Sequence, residues 1–297
     1  MKIFPILAEI GPQSGVFWDY SRPPDGIVAA ILFFLLLMCI GVALDVALCV
    51  YFLKRPARPS EWGTRLATRS MSGQMVLILS LVLTMGYIGF SVGYSLFFPD
   101  VVEVEPVTLL AQGFFFHIPA MMILFGVFLY RRLVAHAPVG PALRNTPAML
   151  GLSVLLYIAA VPVLWFYSLI YQAFLHQLGC NLYLQEVAEI FLAPAPTWQR
   201  VGMYVVAIVL APVVEECFFR GVLFPWVIRR AGFWPAVASV SLLFAAIHLH
   251  LPSFFPLLLL SAMFCVVYAR TRSLLVPIGM HACFNGVSLL LLALTGG

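Results

Sequence analysis

Apolar residues run along this chain in long blocks rather than at the three-to-four spacing of a half-buried helix. Eight blocks stand out, at 27–53, 75–98, 107–130, 147–174, 202–228, 234–250, 252–269 and 274–294. Each is close to the roughly 20 residues that a helix needs to cross a hydrocarbon core about 30 Å thick. The alternation of a membrane barrel is absent. The expected fold class is therefore an all-α integral membrane protein with about eight transmembrane helices. One segment breaks the pattern. Leu184, Val187, Ala188 and Phe191 share one helical face, Gln185, Glu186 and Glu189 the other, and Pro194 and Pro196 follow. A short interfacial helix is predicted there.

Composition strengthens the membrane reading. Hydrophobic residues make up 63% of the 297 positions and charged residues 9%, against roughly a quarter charged in soluble domains. No soluble interior hides that much apolar surface. The formal charge of +4 is explained by topology rather than by a nucleic-acid partner. Twelve of the sixteen Lys and Arg residues fall within 54–74, 131–146, 229–230 and 270–272. The loop at 98–106 holds Asp100, Glu103 and Glu105 but no basic residue. Under the positive-inside rule this places both termini outside the cytoplasm, as an even number of spans requires. Lys2 and the short apolar run broken by Glu9, Gly11 and Pro12 do not read as a cleaved signal, so the first span is expected to act as its own. The six cysteines show no CxxC pair. Five of them sit in apolar runs, where cysteine is a packed hydrophobe, and only Cys180 lies in an expected loop, so no disulfide framework is predicted.

Ionisable groups at mid-membrane cost roughly 2.5–3.5 kcal/mol each on insertion scales, and the C-terminal half concentrates them. The fifth span carries Glu215, Glu216 and Arg220, the sixth His248 and His250, the eighth His281 and Asn285. Glu216 and Arg220 stand i,i+4 with the acid first, the favourable order for an ion pair. Glu215 is turned about 100° from Glu216 and can address a different neighbour. Counting 1.5 Å per residue from the basic markers puts Glu215, His248 and Asn285 about 20 Å deep and His281 about 14 Å. Spans five, six and eight thus form one polar layer.

Three motifs in order, Glu-Glu-x-x-x-Arg at 215–220, Phe-x-x-x-His at 244–248 and His-x-x-x-Asn at 281–285, resemble the CAAX-protease and bacteriocin-processing (CPBP, or ABI) family. Its members include the type II CAAX prenyl endopeptidases. The resemblance covers about residues 185–295. It implies a catalytic membrane core over 184–297, with 1–183 as an N-terminal four-helix membrane region that carries no family mark. It further implies an intramembrane endopeptidase acting on membrane-embedded or lipidated peptide substrates of CAAX or leader-peptide type. In that reading Glu215 is the base that activates water, and His248 holds the water or shuttles its proton. His281 and Asn285 stabilise the oxyanion, with Glu216 and Arg220 as structural support. The chemistry is sound on its own terms, since a desolvated glutamate suits base catalysis near neutrality and fixed donors are most effective in a dry site.

Alternatives arise from the same residues. A catalytically silent membrane scaffold, or a transporter, would use the polar layer for binding. Gly-Phe-Ser-Val-Gly at 89–93 matches the GxSxG pattern, but it lies mid-span. There Gly86, Gly89 and Gly93 have the spacing of a close helix contact, and Ser91 is not expected to be a nucleophile. His117 and Asp45, isolated on early spans, read as structural, and His250 as interfacial. Zinc on His248, His281 and Glu215 is the alternative to a metal-free site. Against zinc, Asn285 is a poor ligand, and with Glu216 paired to Arg220 no other carboxylate is evident to orient a ligating histidine. No cofactor is therefore expected.

Overall fold

Each apolar block becomes a helix, because hydrocarbon offers no partner for an unpaired backbone group. The computed structural model describes residues 25–54, 59–97, 106–135, 146–180 and 186–295. In chain order the helices are α1 (Asp25–Lys54), α2 (Pro59–Ala67), α3 (Gly73–Phe97), α4 (Pro106–Leu133), α5 (Thr146–Gln177), α6 (Glu186–Leu192), α7 (Thr197–Ala231), α8 (Phe233–Ala246), α9 (Leu251–Thr271) and α10 (Leu275–Thr295). Seven of these are long and apolar enough to cross a membrane; α8 is a shorter apolar helix. Asp100, Glu103 and Glu105, together with Lys2, Arg22, Arg55, Arg58, Arg144, Leu184 and Gln185, fall outside the described residues.

The expected sixth span, 234–250, is cut short. Helix α8 ends at Ala246 after 14 residues, about 21 Å and less than a full crossing. Leu249 takes a positive φ of 49° in the turn that follows. His250 then caps α9, its Nδ1 accepting from the Ser253 backbone N–H and lying against the Ser253 hydroxyl.

Three stretches widen into π geometry: Gly113–His117 in α4, and Val206–Leu210 and Cys217–Leu223 in α7. Each is followed at its second residue by a proline, Pro119, Pro212 and Pro225. Proline lacks an N–H and its ring collides with the carbonyl four residues earlier. Those carbonyls belong to Phe115, Ile208 and Gly221, all inside the widened stretches, where the extra residue per turn relieves the clash. Pro225 is thus accommodated within α7.

Packing follows small residues and prolines. Pro162 inside α5 leaves the Ile158 carbonyl without its helical donor, and Gly41 of α1 packs on that spot. A Cβ at Gly41 would lie 2.5 Å from the Ile158 oxygen and 2.7 Å from the Pro162 ring. By contrast, a Cβ at Gly89 or Gly93 meets nothing within 4 Å, so within the described chain these two make no close helix contact. Gly41→Ala is therefore expected to destabilise the fold by about 1–3 kcal/mol, whereas Gly89→Ala leaves it unchanged. Thermal unfolding of the two variants in one detergent checks this, and equal midpoints would contradict the α1–α5 packing.

The basic regions gather at one end of the bundle. Arg69 donates to the Arg272 carbonyl (2.9 Å), Arg131 to the Arg69 carbonyl (2.9 Å), and Arg270 to the Tyr51 hydroxyl (3.3 Å). Helix α2, unforeseen within the loop 54–74, sits there too, with Gly63 against Phe233 and Ile228. On α6, Ile190 is buried in a cluster with Leu109, Met203 and Val206. All six cysteines are free.

Candidate active site

Helices α4 and α7 run parallel, with Gly113 against Val206 and Phe128 against Gly221. This packing, with α8, α9 and α10 on the other side of α7, sets the surroundings of the glutamate pair. Glu216 and Arg220 have no exposed surface. Their ion pair measures 2.7 Å from Arg220 Nη1 to Glu216 Oε1. The second terminal nitrogen of Arg220 donates to the Ser261 hydroxyl (2.6 Å) and carbonyl (3.1 Å) on α9. The Phe244 and Phe264 rings lie 4.7 and 5.1 Å from the guanidinium carbon. One cation thus fastens α7 to α8 and α9, and the aromatic faces replace part of the hydration it has lost.

His281 joins the two glutamates. Its Nδ1 lies 3.0 Å from Glu216 Oε1, and its Nε2 lies 4.0 Å from Glu215 Oε2. The ring is buried against Phe264 and Phe244. The two acids thus stand at opposite nitrogens of a single imidazole, Glu216 in direct contact and Glu215 at the longer distance. The expectation that no carboxylate is left to orient a histidine is corrected. Glu216 Oε1 serves Arg220 and His281 together. Glu215 Oε2 is buried with no hydrogen-bond partner among the described residues, although the Glu215 side chain as a whole is 26% exposed.

His248 lies in the turn beyond α8, not on the helix as expected. Its Nδ1–H donates to the Phe244 carbonyl at 2.7 Å, and its ring stacks 4.9 Å from Phe244. A proton at Nδ1 leaves the Nε2 lone pair of the neutral ring unused. Asn285 donates through Nδ2 to the Ala207 carbonyl at 2.7 Å, in the first π stretch of α7. That bond ties α10 to α7 and leaves one amide N–H and the amide oxygen for other use.

Metal-ligand geometry is a separate question. Among the described residues, no group of three or more His, Cys, Asp or Glu side chains is placed to hold a metal ion. Glu216 engages His281 at Nδ1.

Ser91 lies on the exposed face of α3. His117, read from sequence as isolated, is buried in the π stretch of α4 at 7% exposure. That stretch packs on the Ala211–Glu216 part of α7, and His117 interacts electrostatically with Glu215. No spacing signal announces it, because a single histidine on an apolar span pairs with nothing nearby in sequence.

Comparison with known proteins adds a family to this geometry. Residues 196–287 match the family described as Type II CAAX prenyl endopeptidase Rce1-like. That stretch contains Glu215, Glu216, Arg220, His248, His281 and Asn285. Over 86 residues the chain is 34% identical to "Putative membrane peptidase YdiL" of Bacillus subtilis (strain 168), a match covering 28% of this chain and 34% of that protein. The chain thus spans about a third of the length of this curated relative. No solved structure matches. Helices α1 to α6 lie outside the family match, and it is the membrane core built from α7 to α10 that is similar to the Rce1-like type II CAAX prenyl endopeptidases.

Proposed function

We propose that this protein is a membrane-embedded endopeptidase in which Glu215 activates the attacking water. One observation carries the reading: two adjacent glutamates flank one imidazole, and only Glu216 of the two is paired with Arg220. Glu216 is spent on Arg220 and His281 Nδ1. Glu215 keeps a buried oxygen with no hydrogen-bond partner among the described residues, and an acceptor of that kind suits a water's proton.

The steps follow from the donors present. Glu215 takes a proton as the water oxygen bonds to the scissile carbonyl carbon, and the carbonyl oxygen becomes an oxyanion. In this step His281 carries a proton on each nitrogen, Nδ1–H donating to Glu216 Oε1 and Nε2–H to the oxyanion. The 4.0 Å between His281 Nε2 and Glu215 Oε2 exceeds a direct hydrogen bond and suits one bridging water. Asn285 contributes its second amide N–H while the first stays on Ala207. His248 accepts at Nε2 from the water or hands its proton on. Glu215 finally returns its proton to the leaving nitrogen as the C–N bond breaks. The substrates are membrane-anchored or C-terminally lipidated peptides, whose scissile bond must reach a site framed by transmembrane helices.

The steps are written without a metal, since Glu216 already holds His281 at Nδ1 and an asparagine beside it is a poor zinc ligand. Purified protein in lipid vesicles, given a panel of lipidated and leader-type peptides, is expected to release peptide fragments detectable by mass spectrometry. Activity is expected to survive dialysis against a strong chelator. Stoichiometric zinc in the active protein, with activity lost on chelation and restored by zinc alone, overturns the metal-free mechanism and makes His248 and His281 ligands.

A further inference from the structure

We propose that His117, on a helix outside the family-matched segment, is a positioning residue for Glu215. The inference rests on reading Glu215 as the base and extends the site into the N-terminal half of the chain. Its foundation is placement. His117 is buried on the π stretch Gly113–His117, which packs on the Ala211–Glu216 part of α7. One and two turns further on, Ala120 and Leu124 share a buried cluster with Val214, the residue before Glu215. Gly113, one turn before, packs on Val206 so closely that a Cβ would overlap its side chain. The α4 face that carries His117 is thus held against α7 from both sides, and across this contact His117 and Glu215 interact electrostatically.

The hydrogen bonding of the ring defines what it offers. His117 Nδ1–H donates to the Gln112 carbonyl at 3.2 Å, which leaves Nε2 as the acceptor in the neutral ring. Glu215 Oε2 has the complementary shortage, a buried oxygen with no hydrogen-bond partner among the described residues. When Glu215 carries the proton taken from water, its O–H donates to His117 Nε2, directly or through one water. The proton is held there by a hydrogen bond without leaving the carboxyl, and passes to the departing nitrogen afterwards. The other charged groups around Glu215 are His281 from α10 and Glu216 with Arg220 on its own helix. His117 is the contribution of α4.

Three substitutions separate this role from mere packing. His117→Leu removes both nitrogens, His117→Asn keeps a polar atom only near Nδ1, and His117→Gln places one near Nε2. In vesicles, His117→Leu is expected to lower kcat roughly tenfold to a hundredfold, the loss of one hydrogen bond to an ionisable group. KM should stay within about twofold, since ground-state binding is untouched. His117→Gln should recover most of kcat and His117→Asn should not. An unchanged kcat in His117→Leu, or recovery by Asn as full as by Gln, overturns the proposal. A measurement independent of activity accompanies these. In protein carrying 15N-histidine, the Nε2 resonance of His117 is assigned by its disappearance in His117→Gln. It should move on Glu215→Gln and stay fixed on Glu61→Gln, and a resonance indifferent to Glu215 overturns the proposal. If wild-type protein cleaves no peptide, the hydrolase reading fails while this resonance still decides whether His117 serves Glu215.

Discussion

Glu215→Gln is expected to abolish peptide release, with kcat falling by about a thousandfold or more, within the range that a positioned general base contributes. The substitution keeps the shape and leaves the Glu216–Arg220–His281 cluster whole, so yield and thermal midpoint in detergent should match wild type. A protein that only binds its partner through the polar layer would keep that binding in this variant, whereas an enzyme loses turnover. Glu216→Gln should act differently, lowering activity together with stability, because it weakens the hold on both Arg220 and His281 Nδ1. If Glu215→Gln retains full turnover while Glu216→Gln does not, the division of labour between the two acids is reversed.

Arg220→Met should be the most damaging single substitution to the fold. It strips the buried Glu216 carboxylate of its 2.7 Å partner and removes two bonds to Ser261 on α9. Leaving a buried charge unpaired costs roughly 3–5 kcal/mol. Converting both partners to apolar residues removes the stranded charge, so the double variant Glu216→Leu with Arg220→Met should unfold at a higher temperature than Arg220→Met alone. Activity should not return with stability, because His281 then lacks the carboxylate on Nδ1. Thermal unfolding and turnover measured on the same preparations check both halves. A double variant no more stable than the single one would show that the ion pair acts through packing, not charge.

Much of this was legible in the chain itself. The eight apolar blocks name the eight longer helices, because length and hydrophobicity are local properties and the bilayer imposes one secondary structure on them. The Glu216–Arg220 pair was equally legible, since i,i+4 on a helix is a contact within one element. Even the three π stretches have a local cause, the prolines at 119, 212 and 225, although apolar patterning does not reveal them.

What tertiary structure alone decided begins where two helices meet. Both glutamates converge on one histidine because α10 delivers His281 65 residues later, and helical geometry on α7 says only that the two acids diverge by about 100°. The break of α8 before His248 depends on the return of α9, whose His250 cap starts a new helix. Gly41 finds the Ile158 carbonyl, whereas Gly89 and Gly93 find nothing, although their spacing promises contact. Small residues permit close approach without naming a partner. His117 is the clearest case. Nothing beside it in sequence marks it, and it meets the part of α7 that carries Glu215 only through packing between the two helices, where Gly113 lies against Val206. Patterns along a chain record what each helix must do in lipid; which polar side chains share a site is set by contacts between helices, which no single-helix period encodes.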